Sequence, residues 1–326
     1  MTSIRRTPRP GEVIESDLVV SSKRLIADHV VALDLRAADS SALPRWQPGA
    51  HIDLELGGGL VRQYSLCGDP RDAERWQLAI LRETSSRGGS HWVHDVLEPG
   101  ATIRAAGPRN RFMFEPAARY LFIAGGVGIT PIMPMVTAAE RSGAEWTLIY
   151  GGRSRTSMAY AAALSERYGD RVRLFPEDEC GRLDLDALVP DPDASTLVYC
   201  CGPQGLLDAI EQRARNWPKG DLRIERFAAA NTGSTRADQP FEIEVLSSHR
   251  RLTVEAGQSV LETLRRHGIQ VPSSCEEGVC GTCLTRVVSG VVDHRDAVLS
   301  EEERSAHHLM TLCVSRAVNG PLVLDL

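Results

Sequence analysis

Four cysteines towards the C-terminal end of the sequence carry its most specific chemistry: Cys275-x4-Cys280-x2-Cys283, then Cys313 after 29 more residues. Two sulfide-bridged irons take two thiolates each, and this spacing is that of a [2Fe–2S] loop with a distant fourth ligand. Gly278 and Gly281 let such a loop wrap closely, because glycine accepts backbone angles that other residues avoid. Ser273, Ser274 and Thr282 place small polar groups near the sulfurs. A zinc site favours a C-x2-C pair in each half, and here the second half has one cysteine. Eight cysteines in 326 residues are too sparse for a disulfide scaffold, and a reducing compartment would keep them as thiols. Four of the eight crowd into the last 52 residues, which points to a local metal site. Cys67, Cys180, Cys200 and Cys201 stand outside the set and are not read as ligands.

A cluster accepts one electron at a time, so something upstream must supply electrons. GGVGITP (125–131) follows an apolar strand and opens a helix, where backbone N–H groups suit a pyrophosphate. Close strand–helix packing is the plainer use of such a turn. CGP (201–203) directly follows another apolar strand, TLVYC. Earlier, RQYS (62–65) sets an arginine two residues before a tyrosine and a serine, and SRGGSHWVHDVL (86–97) puts GGS at a helix start suited to phosphate. By itself, the first of these could be ordinary strand surface.

The elements that must position these groups fall into three modules. The first ~110 residues read as strands and turns: VVALDL (30–35) and HIDLEL (51–56) alternate apolar and polar, and RWQLAIL (75–81) does likewise. An antiparallel β-domain, a barrel over residues 1–114, is expected. From Arg119 short apolar strands (120–124, 146–150, 171–175, 196–200 and 221–227) alternate with helix-like segments, which predicts a parallel α/β sheet over 115–228. Ligands of such a sheet lie beyond the carboxyl ends of its strands. Residues 229–239 read as a linker. Within 240–326, FEIEVL and LTVEAG suggest a hairpin, SVLETLRRHG a helix, and LTRVVSG and PLVLDL further strands.

Together the motifs are similar to known families. The C-terminal ~85 residues resemble plant-type ferredoxins, which implies a β-grasp [2Fe–2S] domain with Cys275, Cys280, Cys283 and Cys313 as metal ligands. The glycine turn and CGP resemble the pyridine-nucleotide domain of the ferredoxin–NADP reductase superfamily. That resemblance places Gly125, Gly126, Gly128, Thr130 and Pro131 at the pyrophosphate, and Cys201, Gly202 and Pro203 at the nicotinamide. RQYS resembles the same superfamily's flavin motif. It implies Arg62 on the flavin phosphate with Gly88, Gly89 and Ser90, Tyr64 on the ring and Ser65 near N5. Gln63, Ile80 and Leu81 line the flavin, and Phe227 of ERF covers the ring. GPRNRF (107–112) matches the end of that superfamily's barrel. Flavin barrel, nucleotide domain and C-terminal ferredoxin is the order of the phthalate dioxygenase reductase family, which the chain resembles from about residue 10 onward. The resemblance implies FMN, hydride transfer from NADH with Ser65 and Cys201 at the reacting atoms, and electron delivery to a Rieske-type oxygenase. A reductase for a haem or di-iron oxygenase, and a non-catalytic redox sensor, are the alternatives.

Composition bounds the rest. A net charge of −6 argues against nucleic acid as a partner. From Pro240 onward there are 12 acidic residues against 8 arginines, so an acidic docking face around Glu276 and Glu277 is one reading and simple solvation the other. Residues 120–139 carry no charge, but three glycines and two prolines favour strand, turn and helix over a membrane span, and a cytoplasmic location is expected. Arg153 and Arg155 fall where the adenosine ribose should lie and could pair with a 2′-phosphate or serve NADH; NADH is expected. His91, His94, His294, His307 and His308 have no ligand spacing that competes with the cysteines.

Overall fold

The computed structural model describes residues 14–84, 88–193, 195–218, 220–227 and 238–326; most of the expected linker lies outside them. The chain divides into two compact units, Met1–Glu225 and Arg226–Leu326.

The first unit begins with six antiparallel strands: β1 (Ile14–Ala27), β2 (Val30–Ala37), β3 (Ala50–Leu56), β4 (Leu60–Ser65), β5 (Trp76–Leu81) and β6 (Thr102–Asn110). Their order is β4-β3-β6-β1-β2-β5, a half-barrel with β4 and β5 as its edges. Helix α1 (Gly89–Asp95) follows β5. Leu18, Leu33, Leu35, Ile52, Leu54, Trp76 and Leu78 fill the barrel core. Two of these strands are not evident from periodicity. In β1 the alternation breaks where register shifts occur between Val20 and Ser22 and between Leu25 and Ala27. In β6 the Gly107–Pro108 pair reads as a break, yet the strand continues to Asn110.

The sheet that follows is wholly parallel, in the order β11-β10-β7-β8-β9. Its strands are β7 (Arg119–Gly125), β8 (Glu145–Gly152), β9 (Val172–Pro176), β10 (Thr196–Cys201) and β11 (Leu222–Glu225). Helices α2 (Ile129–Ser142), α3 (Ala161–Tyr168), α4 (Glu177–Cys180), α5 (Leu185–Leu188) and α6 (Gln204–Arg213) lie between them. The charge-free stretch 120–139 is thus strand, turn and helix, and among the described residues no helix is long and apolar enough to cross a membrane.

Barrel and sheet are joined by a shared core. Val30, Cys67, Ala79 and Phe112 from the barrel side pack with Tyr120, Phe122, Tyr199 and Cys201 of the sheet. Arg141 adds a two-point ion pair to Asp69, at 2.8 and 3.1 Å. The Thr156 carbonyl accepts from the Asp28 amide at 2.8 Å. With this much apolar surface shared, the two halves form one body.

The second unit is a five-stranded mixed sheet, β13-β12-β16-β14-β15. It contains β12 (Phe241–Val245), β13 (Arg250–Val254), β14 (Leu284–Asp293), β15 (Leu309–Thr311) and β16 (Arg316–Leu324), with α7 (Val260–Arg266) and α8 (Glu301–Ala306). β12 and β13 form the expected hairpin, and β12 runs parallel to β16, the β-grasp arrangement. Helix α7 starts where Ser259 and Glu262 cap each other's backbone N–H groups, at 3.0 and 3.1 Å. Val260, Leu261 and Leu264 on its inner face then bury against the sheet.

Candidate functional site

The barrel brings Arg62 and the GGS turn together. A Cβ on Gly89 would sit 2.7 Å from Arg62 Cγ and 3.1 Å from its Nε, so the arginine stem lies flat against the start of α1. Gly88 precedes the helix with φ 98°, a conformation that suits glycine. Ser90 is buried and its Oγ accepts from the Glu83 amide at 3.1 Å, which ties α1 to the end of β5. Tyr64 packs on the barrel core, and burial pushes its hydroxyl pKa well up. Ser65 is buried at the end of β4, in register with His51. Gln63 is turned away, donating to Asp53 Oδ1 at 2.9 Å. Ile80 points into the barrel core, whereas Leu81 packs half-buried against the core shared with the sheet.

At the carboxyl edge of the parallel sheet the two glycine-containing turns touch backbone to backbone. A Cβ on Gly128 would fall 2.2 Å from the Cys201 carbonyl oxygen, and one on Gly202 3.0 Å from Gly125 Cα. A Cβ on Gly125 would fall 2.6 Å from Cδ of the Pro203 ring. No side chain fits in these seams, so the glycines bring the pyrophosphate turn against the CGP turn. Gly126, with φ 54°, faces open space. Thr130 is buried and donates to the Val127 carbonyl at 2.9 Å, closing the first turn of α2, in which Pro131 is also buried. Cys201 is buried, and desolvation raises its thiol pKa, so it stays neutral. Arg153 is exposed, and among the described residues its guanidinium has no partner. Phe227 is exposed too and belongs to the second unit.

Two residues of this edge escape a reading of the sequence. Tyr150, an apolar-strand residue by pattern, is fully buried with its hydroxyl 3.1 Å from the carbonyls of both Gly126 and Ala159, holding the glycine turn. Glu225, in the ERF triplet, pairs in register with Cys201 across β10 and β11. Its Oε2 is buried and, among the described residues, has no hydrogen-bond partner, and desolvation raises its pKa to about 8. The residue keeps some accessible surface elsewhere, so that figure is an upper limit. A glutamate beside an aromatic in sequence gives no sign of this; only strand pairing sets it beside Cys201.

In the second unit the four expected cysteines come together as two pairs. Cys283 Sγ and Cys313 Sγ are 3.3 Å apart, and Cys275 hydrogen-bonds Cys280. Sharing a proton within each pair pulls Cys280, to about 5, and Cys283 below the usual thiol range and pushes Cys275 and Cys313 above it. Backbone N–H groups already face the sulfurs: Glu277 donates to Cys275 and Thr282 to Cys280, each at 3.3 Å. Gly278 has φ 74°, and a Cβ there would lie 2.6 Å from Val314 Cγ2. Ser274 Oγ is buried and has no hydrogen-bond partner among the described residues. Among the described residues no three His, Cys, Asp or Glu side chains converge on one point, as a single-metal site would need. Two thiol pairs fit two irons with two thiolates each. Cys67 and Cys200 sit in cores of the first unit, and Cys180 is exposed. Glu276 is held by Arg265 at 2.6 Å rather than standing free.

Comparison with known proteins agrees with this architecture. Residues 243–318 match the 2Fe-2S iron-sulfur cluster binding domain and residues 122–212 the oxidoreductase NAD-binding domain. The chain is 41% identical to phenoxybenzoate dioxygenase subunit beta of Ectopseudomonas oleovorans, over 92% of its own length and 94% of that protein's. It is 42% identical, with a TM-score of 0.87, to part of an intact type IV self-sufficient cytochrome P450 monooxygenase, of which it spans 43%. It is also similar to the crystal structure of phthalate dioxygenase reductase, described as a modular structure for electron transfer from pyridine nucleotides to [2Fe–2S]. Identity there is 32% and the TM-score 0.73, covering 96% of this chain and 98% of that one. Matching along its whole length, this chain belongs to the phthalate dioxygenase reductase family.

Proposed function

We propose that the protein is the reductase component of a Rieske-type oxygenase system, taking electrons from NADH through FMN to a [2Fe–2S] cluster and on to the oxygenase. One observation carries the reading: a single compact unit holds both Arg62 against the Gly88–Ser90 turn and Gly128 against Cys201, and the same chain carries the four-thiol loop. Bound in these places, a flavin supplies a carrier that accepts a hydride's two electrons together and releases them singly, and the cluster a one-electron store.

The chain's own groups provide binding and orientation. Arg62 neutralises the flavin phosphate beside Gly88, Gly89 and Ser90. Tyr64 supports the ring, Leu81 lies along it, and Ser65 offers a hydroxyl at its reactive edge. The backbone N–H groups of the Gly125–Gly128 turn take the pyrophosphate. Cys201 and Glu225, both held neutral by burial, form a small uncharged floor for the nicotinamide. The Cys275–Cys280 and Cys283–Cys313 pairs would hold the two irons of the cluster. None of the eight cysteines is in a disulfide, which suits a cytoplasmic setting.

The relation to a cytochrome P450 monooxygenase, as strong in identity as that to a dioxygenase subunit, supports a second reading in which the electron acceptor is a haem oxygenase. Purified protein should contain FMN and two irons and should reduce cytochrome c with NADH. Offering reduced protein separately to a Rieske oxygenase and to a P450 domain, and timing electron transfer, separates the two readings. Lack of NADH-driven reduction overturns both.

A further inference from the structure

The parallel sheet also dictates where the far end of the dinucleotide must go. With the nicotinamide at Cys201 on β10 and the pyrophosphate at the β7 turn, the strand order carries the adenosine towards the carboxyl ends of β8 and β9. Two loops meet there. The Arg153 carbonyl accepts from the Asp178 amide at 3.1 Å, so the segment after β8 lies against α4, whose sequence is Glu177-Asp178-Glu179-Cys180. Arg155 Nε reaches both carboxylate oxygens of Glu179, at 2.7 and 3.0 Å. The segment is stiff: Ser154 and Ser157 cap each other, and Thr156 is anchored to Asp28 of the barrel.

We propose that the Arg155–Glu179 pair is the coenzyme-specificity device of this protein, excluding a dinucleotide with a 2′-phosphate and admitting one with a free ribose 2′-hydroxyl. The inference rests on the nucleotide-site reading given above. An arginine beside the ribose is what a 2′-phosphate requires. Here the Nε of that arginine is paired with a carboxylate of the same chain, kept near by the contact between the Arg153 carbonyl and the Asp178 amide, whereas the coenzyme must compete from solution. A phosphate that displaced it would also face the released Glu179, with Glu177 and Asp178 as neighbours on the same short helix. A ribose hydroxyl meets neither obstacle. Arg153, exposed and without a partner among the described residues, stays available to the adenosine end of either coenzyme.

The test is a double-mutant cycle on the full-length holoprotein, with Glu179→Gln, Arg155→Ala and the pair combined. Two readouts serve: KM and kcat for NADH and NADPH, and inhibition constants for 2′,5′-ADP and ADP competing with NADH. Freeing Arg155 by Glu179→Gln should lower KM for NADPH and Ki for 2′,5′-ADP about tenfold, the scale of one charge-assisted hydrogen bond. ADP binding should move much less, and kcat should barely move, because the ribose lies far from the transferred hydride. Arg155→Ala alone should change the NADPH-to-NADH ratio little, and in the Glu179→Gln background it should abolish the gain. If Glu179→Gln leaves both constants as in wild type while NADH still reduces the protein, the proposal is wrong and the nucleotide site stands. If the gain survives in the double variant, Arg155 is not the captured group and the proposal is equally wrong. Failure of NADH to reduce the wild-type protein would overturn the site reading itself.

Discussion

Replacing Glu225 by glutamine tests the uncharged floor of the nicotinamide pocket. The side chains are nearly equal in shape, but glutamine cannot ionise. An unfolded glutamate loses its proton near 4.5, whereas desolvation holds the proton on Glu225 in the folded chain up to about 8. Between these values the folded state binds more protons than the unfolded one, so stability falls as pH rises through the window. The slope is about 1.4 kcal/mol per pH unit, or about 3 kcal/mol from pH 5 to 7 as an upper limit given the residue's partial solvent access. The substituted protein lacks this contribution and should gain on wild type by that amount as pH rises. Urea unfolding followed by tryptophan fluorescence suits the purpose, because all five tryptophans lie in the first unit. Rapid-mixing reduction by NADH adds a functional readout. Wild type should change rate as Glu225 ionises near pH 8, from a new negative charge beside Cys201, and Glu225→Gln should not. Stability profiles that run parallel from pH 5 to 8 would refute the buried neutral acid.

Other consequences follow from the same contacts. Serine in place of Cys275, Cys280, Cys283 or Cys313 should abolish the two-iron complement while NADH-driven ferricyanide reduction persists, because the thiol pairs lie in their own unit; iron analysis and the visible spectrum decide. Arg62→Ala should weaken FMN binding by ~1.5–3 kcal/mol, measured by flavin fluorescence titration, and chromatography of the extracted flavin should show FMN and not FAD. Gly128→Ala puts a methyl 2.2 Å from the Cys201 carbonyl and should raise KM for NADH together with a loss of stability, seen as a lower Tm. Should the acidic C-terminal unit steer docking, electron delivery to an oxygenase will slow as screening shortens from ~8 Å at 0.15 M salt to ~3 Å at 1 M, while flavin reduction by NADH holds steady. Reversing Glu276 or Glu277 should then act more on the on-rate than on the maximal rate.

The chemistry of the chain is local in sequence and was therefore legible there. The cysteine spacing needs one loop and one distant strand end, and the thiol pairs formed as that spacing implies. Arg62-x-Tyr64-Ser65, the glycine turn and CGP are each a few residues long and sit at the ends of strands whose apolar pattern is plain. Alternating short strands and helices made the parallel sheet equally readable. Strands β1 and β6 were hidden because bulges and a Gly–Pro pair break the period of two that a sequence reading needs, although hydrogen bonding across the sheet does not. What tertiary structure decided are relations between distant segments. Gly128 is tight because Cys201 lies against it, Glu225 is a neutral acid because β11 pairs with β10, and Arg155 is occupied because α4 ends beside it. The same holds for site residues whose side chains turned elsewhere: Gln63 goes to Asp53 and Ile80 to the barrel core, since alternation along a strand gives each neighbour an opposite face. Sequence names the groups able to react; burial and strand pairing fix which of them carry charge and which have room for a ligand.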